Sequence, residues 1–85
     1  MNKTEKYRKW YTETITENGP IIIQTIGSKY MGLEESVMRR WVREERVKCL
    51  VDPEGKKYIK FQDLIKIQKM YEETGKPPPK GYATH

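Results

Sequence analysis

The sequence predicts a small α+β domain, and three observations carry that expectation. Apolar residues recur at helical spacing on both sides of Gly32, so two helices meet at a glycine-containing turn. The stretch "MRRWVREERV", residues 38–47, splits at about 100° per residue into an apolar side and an arginine side. The segment after it, residues 48–61, changes from helical period to alternation around the turn signal "DPEG".

Size and composition bound the rest. Eighty-five residues make one domain with a modest core, since such a chain buries only a little over ~60% of its unfolded surface. The apolar fraction is 35% and the charged fraction 34%, which leaves room for unfolded segments. The single cysteine, Cys49, excludes an internal disulfide framework and fits a reducing cytoplasm. No apolar run approaches the ~20 residues of a membrane span, and "MNKTEKYRKW" has no apolar core of a signal peptide. No membrane partner is expected. The net charge of +5 is concentrated: residues 39–69 hold ten Lys/Arg against five Asp/Glu. That favours nucleic acid as partner, ahead of an anionic membrane or an acidic protein.

Residues 1–19 read as an N-terminal extension, helical over residues 4–17. Thr4 is the expected N-cap, Tyr7, Trp10, Tyr11 and Ile15 recur at helical spacing, and Gly19-Pro20 ends the run. Alternation in "WYTETIT" leaves a strand open as the second reading.

Residues 20–75 form the expected domain. A helix opens at or just after Pro20, with Ile22, Ile26 and Tyr30 as its stripe. Gly27 and Ser28 are small residues in mid-helix, a costly choice that implies close approach of another helix. The spacing places Trp41 against them. Gly32 ends this helix, "LEE" turns, and the arginine helix follows with Glu34 and Glu35 at its positive end. A two-stranded hairpin with Lys56 and Lys57 at its tip comes next. A closing helix has Phe61, Leu64, Ile67, Met70 and Tyr71 inward, and Gly75 as its stop. Helix, turn, basic helix, hairpin, helix is the order of a winged helix-turn-helix with the hairpin as wing. Residues 76–85, "KPPPKGYATH", read as a flexible proline-rich tail outside the core.

On these residues the chain resembles a known family. Gly27-Ser28, Lys29-Tyr30-Met31-Gly32 and Trp41 nine residues after Gly32 are similar to the helix-turn-helix of the excisionase and MerR-like winged-helix group. The run from Arg39 to Glu44, then Arg46, Gly55, Lys56 and Tyr58, is closest to lambda-type phage excisionases, which are recombination directionality factors. The resemblance covers about residues 21–74. It departs at Glu45, where many relatives carry a left-handed glycine and phage excisionases tolerate another residue. It implies an architectural factor that binds repeated sites in double-stranded DNA, bends them, and helps an integrase run toward excision. The basic helix would enter the major groove, and the wing an adjacent minor groove.

The residues expected to touch DNA are Ser36, Arg39, Arg40, Arg43, Arg46, Lys56 and Lys57. Arginine forks match guanine edges and phosphate oxygens in pairs. The competing role for the arginines is pairing along the helix, Glu35 with Arg39 and Arg40 with Glu44. Trp41 is expected in the core. Tyr7, Trp10 and Tyr11, interleaved with Lys6, Arg8 and Lys9, either pack the first helix onto the domain or stack on single-stranded bases. Cys49 is expected as a small buried strand residue rather than a reactive thiol.

No catalytic or metal set can be built from one cysteine and one terminal histidine, His85, so neither enzyme activity nor a cofactor is expected. The partners expected are double-stranded DNA, an integrase, and further copies on repeated sites. The alternatives are a MerR-like regulator, a DNA-processing accessory such as a terminase small subunit or transfer-origin binder, and an adaptor that binds no DNA. MerR-type regulators need a long dimerisation helix, for which about ten residues past the closing helix leave no room.

Overall fold

The computed structural model describes residues 2–82. The elements in order are α1 (Lys3–Asn18), β1 (Ile21–Ile23), α2 (Gln24–Tyr30), α3 (Glu35–Arg43), β2 (Leu50–Val51), β3 (Lys57–Lys60) and α4 (Phe61–Thr74). Four helices surround one antiparallel sheet of order β1-β3-β2, an α+β arrangement compatible with a small helix-turn-helix-like domain.

The helix α1 is capped two residues earlier than expected. The Asn2 side chain, not Thr4, accepts the Glu5 N–H at 2.9 Å. Gly19 closes the helix at φ 77°, with its N–H on the Ile15 carbonyl. Trp10 anchors it to the sheet, 5.1 Å from the Tyr58 ring, and Thr14 is buried. Tyr7 and Tyr11 stack on each other at 5.9 Å and stay at the surface.

The second helix does not begin at Pro20. Ile21–Ile23 is a strand, paired Ile22↔Ile59 and Ile23↔Tyr58, so the sheet has three strands where a two-stranded hairpin was expected. Three consecutive β-branched residues favour extended backbone, and their partner lies almost forty residues away, beyond the reach of local pattern. Pro20 precedes the strand and gives its carbonyl to the Phe61 N–H at 2.9 Å.

The expected stripe breaks accordingly. Ile22 sits half-buried on β1, whereas Ile26 and Tyr30 on α2 are about half exposed. Gln24, Gly27 and Ser28 face inward instead. A Cβ on Gly27 would lie 3.6–3.7 Å from the Leu64 methyls and Ile22 Cγ2, so the small-residue face receives α4. Trp41 was expected there. It packs 5.5 Å from the Tyr71 ring.

Gly32, at φ 70°, ends α2 with a paired cap: its N–H meets the Lys29 carbonyl and the Leu33 N–H meets Ser28. The same pair of bonds closes α3. The Glu45 N–H reaches Val42 at 3.1 Å and the Arg46 N–H reaches Trp41 at 2.8 Å. Glu45 therefore stands at φ 61°, in the position where glycine is the usual choice. The core consists of Met38, Trp41, Val47, Ile59, Leu64 and Ile67. Phe61 starts α4 rather than ending the strand, and Phe61, Met70 and Tyr71 are half-buried. Gly75 stops α4 in the left-handed region.

The segment from Lys76 to Tyr82 is not outside the core. Pro78 is fully buried, its carbonyl accepts Arg46 Nη1 at 2.9 Å, and the Gly81 N–H donates to Glu45 at 3.0 Å. A proline-rich composition signals no local structure, but Arg46, just past α3 and thirty-two residues earlier, supplies the anchor. The last three residues of the expected flexible tail, 83–85, lie outside the described residues.

Two stability outcomes follow. Glu45→Gly relieves a left-handed non-glycine residue and should stabilise the domain by about 0.5–1 kcal/mol after the extra unfolded-chain entropy of glycine. Thermal unfolding should show a midpoint about 2–8 °C higher. Removing residues 76–85 strips the Pro78 burial and its bond to Arg46, and should destabilise by ~1–2 kcal/mol. A truncated chain melting at the parent temperature would contradict the observed docking.

Candidate nucleic-acid interface

α3 is held from one side. Met38 and Trp41 are buried, Val37 and Val42 half-buried, and Ser36, Arg39, Arg40 and Arg43 exposed on the other side. The pairs Glu35–Arg39 and Arg40–Glu44 do not form. Among the described residues the ion pair made at this end is Arg46 Nε to Glu44 Oε1, at 2.9 Å. That hydrogen bond holds the Glu44 carboxyl below its ordinary value. Burial works against it, and the charges of Arg46, Arg40 and Arg43 add to the lowering. Glu44 is thus committed to Arg46, and the guanidinium groups of Arg39, Arg40 and Arg43 are left for solvent or an anion.

Arg46 differs from the other residues singled out in the sequence. Its fork is engaged by Glu44 and by the Pro78 carbonyl, so it fastens the end of α3 to the following chain. Lys56 and Lys57 are exposed, as a turn residue and as the first residue of β3. They stand on a different element from the arginines.

The turn that carries them is built by Asp52, which is 7% exposed. Its Oδ1 accepts the N–H groups of Glu54 at 2.8 Å and Lys56 at 2.9 Å, and its Oδ2 accepts the Tyr58 hydroxyl at 3.0 Å. Burial raises the Asp52 pKa, but the two backbone bonds, the Tyr58 bond and the Lys56 charge outweigh it, and the net shift is downward. The Tyr58 phenol is pushed well above its usual range, first by burial and then by its bonds to Tyr7 and Asp52. Tyr7 reaches it from α1, with the hydroxyls 3.3 Å apart. One carboxylate therefore ties the lysine turn, the central strand and the N-terminal helix together. "DPEG" marks the turn in sequence, but the aspartate's role as its hub needs the folded geometry.

Cys49 was expected buried in a strand, but it lies just before β2 and is only half-buried, its thiol donating to Gln24 Oε1 at 3.5 Å. Burial pushes its pKa up against the opposing Lys57 charge, which keeps the group a thiol at neutral pH. No helix among the described residues is long and apolar enough to cross a membrane.

No protein-family model, curated protein or solved structure matches the chain.

Because the Asp52 pKa is depressed on folding, its stabilisation is present above the ordinary carboxylate value. It is lost as pH falls through the lower, folded-state value. Asp52→Asn should lower the thermal midpoint at pH 7 and flatten its decline as pH falls below the ordinary aspartate value of about 4. Asp52→Ala should cost ~1–3 kcal/mol by orphaning two backbone donors and a buried hydroxyl. A midpoint unmoved by either change would rule out Asp52 as the hub.

Proposed function

We propose that this chain is a winged helix-turn-helix protein that binds double-stranded DNA, with α3 in the major groove and the β2–β3 turn on the flanking backbone. The observation that carries the reading is the division of α3. Its apolar side is locked in the core, while Arg39, Arg40 and Arg43 are exposed and bound to no carboxylate among the described residues. A helix built to be solvated would keep its arginines paired with Glu35 and Glu44. Here Glu44 is held by Arg46, which leaves a concentrated positive face within one to two turns of helix. Exposed Lys56 and Lys57 add charge on a turn held rigid by Asp52.

The finer reading follows the resemblance in the sequence: an excisionase-type architectural factor acting with an integrase on repeated sites. An architectural role suits a domain with no bulky reading surface, because DNA shape and bending can supply discrimination that base contacts do not. A reconstituted recombination reaction tests this. Addition of the protein should raise excision relative to integration, and an unchanged ratio with DNA fully bound would leave a regulator or DNA-processing factor.

DNA binding itself has a sharper test. Neutralising about five to seven phosphates gives a slope of log K against log salt of about −4 to −6. Arg39→Ala, Arg40→Ala or Arg43→Ala at a base-reading position should cost ~1–3 kcal/mol at the specific site and relax one or two base pairs. Lys56→Ala should weaken all duplexes about equally. A slope near zero for the parent protein would sink the DNA reading.

A further inference from the structure

The carboxyl end of α3 presents an electrostatic problem for any polyanion lying along its arginine face. The last turn is the negative end of the helix dipole, with its Trp41 and Val42 carbonyls already capped by backbone N–H groups, and Glu44 and Glu45 follow directly. Both effects repel phosphate beside Arg43. Arg46 neutralises Glu44, but its guanidinium is then occupied by that carboxylate and by the Pro78 carbonyl. The contact that occupies Arg46 also brings in new charge. Pro78 is buried, and the Gly81 N–H donates to the Glu45 carbonyl, two residues beyond Arg43. The Tyr82 N–H meets the Pro79 carbonyl at 3.1 Å, which closes a turn with Lys80 and Gly81 at its centre. Gly81, at φ 76°, supplies the left-handed conformation that such a turn requires at its third position. Lys80 occupies the second position, with its side chain exposed. Residues 76–82 contain Lys76 and Lys80 and no acid.

We infer that the docked segment Lys76–Tyr82 is part of the anion-binding surface, with Lys80 as a backbone-phosphate contact at the carboxyl end of α3. This inference rests on the duplex-binding reading and adds to it a residue outside the helix and the turn. Lysine suits the role, because a flexible point charge on a fixed turn follows a phosphate without demanding base geometry. The turn is fixed at both ends, by Pro78 in the core and by Gly81 on Glu45. Lys80 is therefore held beside α3 before any ligand arrives, which lowers the ordering cost of the contact.

The test uses the full chain and a fluorescently labelled duplex of unrelated sequence, titrated at several salt concentrations. The parent, Lys80→Ala, Lys80→Glu and, as a control of equal charge change on α1, exposed Lys9→Ala are compared, each with a thermal melt. Lys80→Ala should weaken binding about 3–10-fold at low salt, reduce the salt slope by about one unit, and leave the melting midpoint unchanged. Lys80→Glu should weaken binding further, and Lys9→Ala less than Lys80→Ala. The inference is overturned if Lys80→Ala binds with the parent's affinity and slope. It is equally overturned if affinity falls only in step with a lowered melting midpoint, which is the signature of a purely structural turn. A parent protein that binds no duplex defeats the DNA reading itself, a result separable from either of these.

Discussion

Everything on the exposed side of α3 depends on how its other side is held. Met38 and Trp41 are sealed in the core, and the indole packs against Tyr71 from α4. The Trp41 Nε1 is buried without a hydrogen-bond partner among the described residues. Such a donor costs ~1–3 kcal/mol, so shape and apolar contact hold the ring in spite of its polar atom. The Trp41 carbonyl also accepts the Arg46 N–H that reverses the chain. One residue thus fixes the rotation of α3 through its side chain and the exit of the helix through its backbone. Arg39, Arg40 and Arg43 point outward because Trp41 points inward.

The reversal after Trp41 is where local strain and electrostatics meet. Glu45 takes a left-handed conformation that an L-residue adopts at a cost of roughly 1–2 kcal/mol. The fold holds it there with two cap bonds and with the Gly81 N–H on its carbonyl. The neighbouring glutamate is drawn to Arg46, which removes a carboxylate from the field of Arg40 and Arg43. A glycine at position 45 would ease the backbone and delete one negative charge near the arginines.

Much of this was legible in the sequence, and the failures share a cause. The two-faced α3, the glycine stops at Gly32 and Gly75, the "DPEG" turn and the inward Leu64 and Ile67 all follow from period and turn chemistry within a few residues. The strand Ile21–Ile23 does not, since three identical apolar residues have no period and their pairing partner is β3. Assigning them to a helix carried Ile26 and Tyr30 into a buried stripe, although both are about half exposed. The docking of Pro78 was hidden in the same way, because its partner Arg46 precedes it by thirty-two residues and reads locally as one more surface arginine. For the residues expected to meet DNA, the sequence supplied the list and the structure supplied a distinction. Arg39, Arg40 and Arg43 stand apart from ion pairs, and Arg46 is engaged.

A DNA-reading role for α3 carries a length constraint. Nine residues at 1.5 Å each span about 13.5 Å, against 3.4 Å per base pair along the duplex, so the helix faces about four base pairs at most. Any of the three arginines that meets phosphate instead of a base edge fixes the register without adding sequence information. A site of four base pairs recurs about once in every 256 in random sequence, far too often for one copy to mark a unique locus. The lysines on the β2–β3 turn and at position 80 enlarge the charged footprint without adding base information. Affinity can therefore grow on this scaffold faster than specificity does. Discrimination must come from the deformability of the bound DNA, from several copies on adjacent sites, or from a second protein on the same DNA.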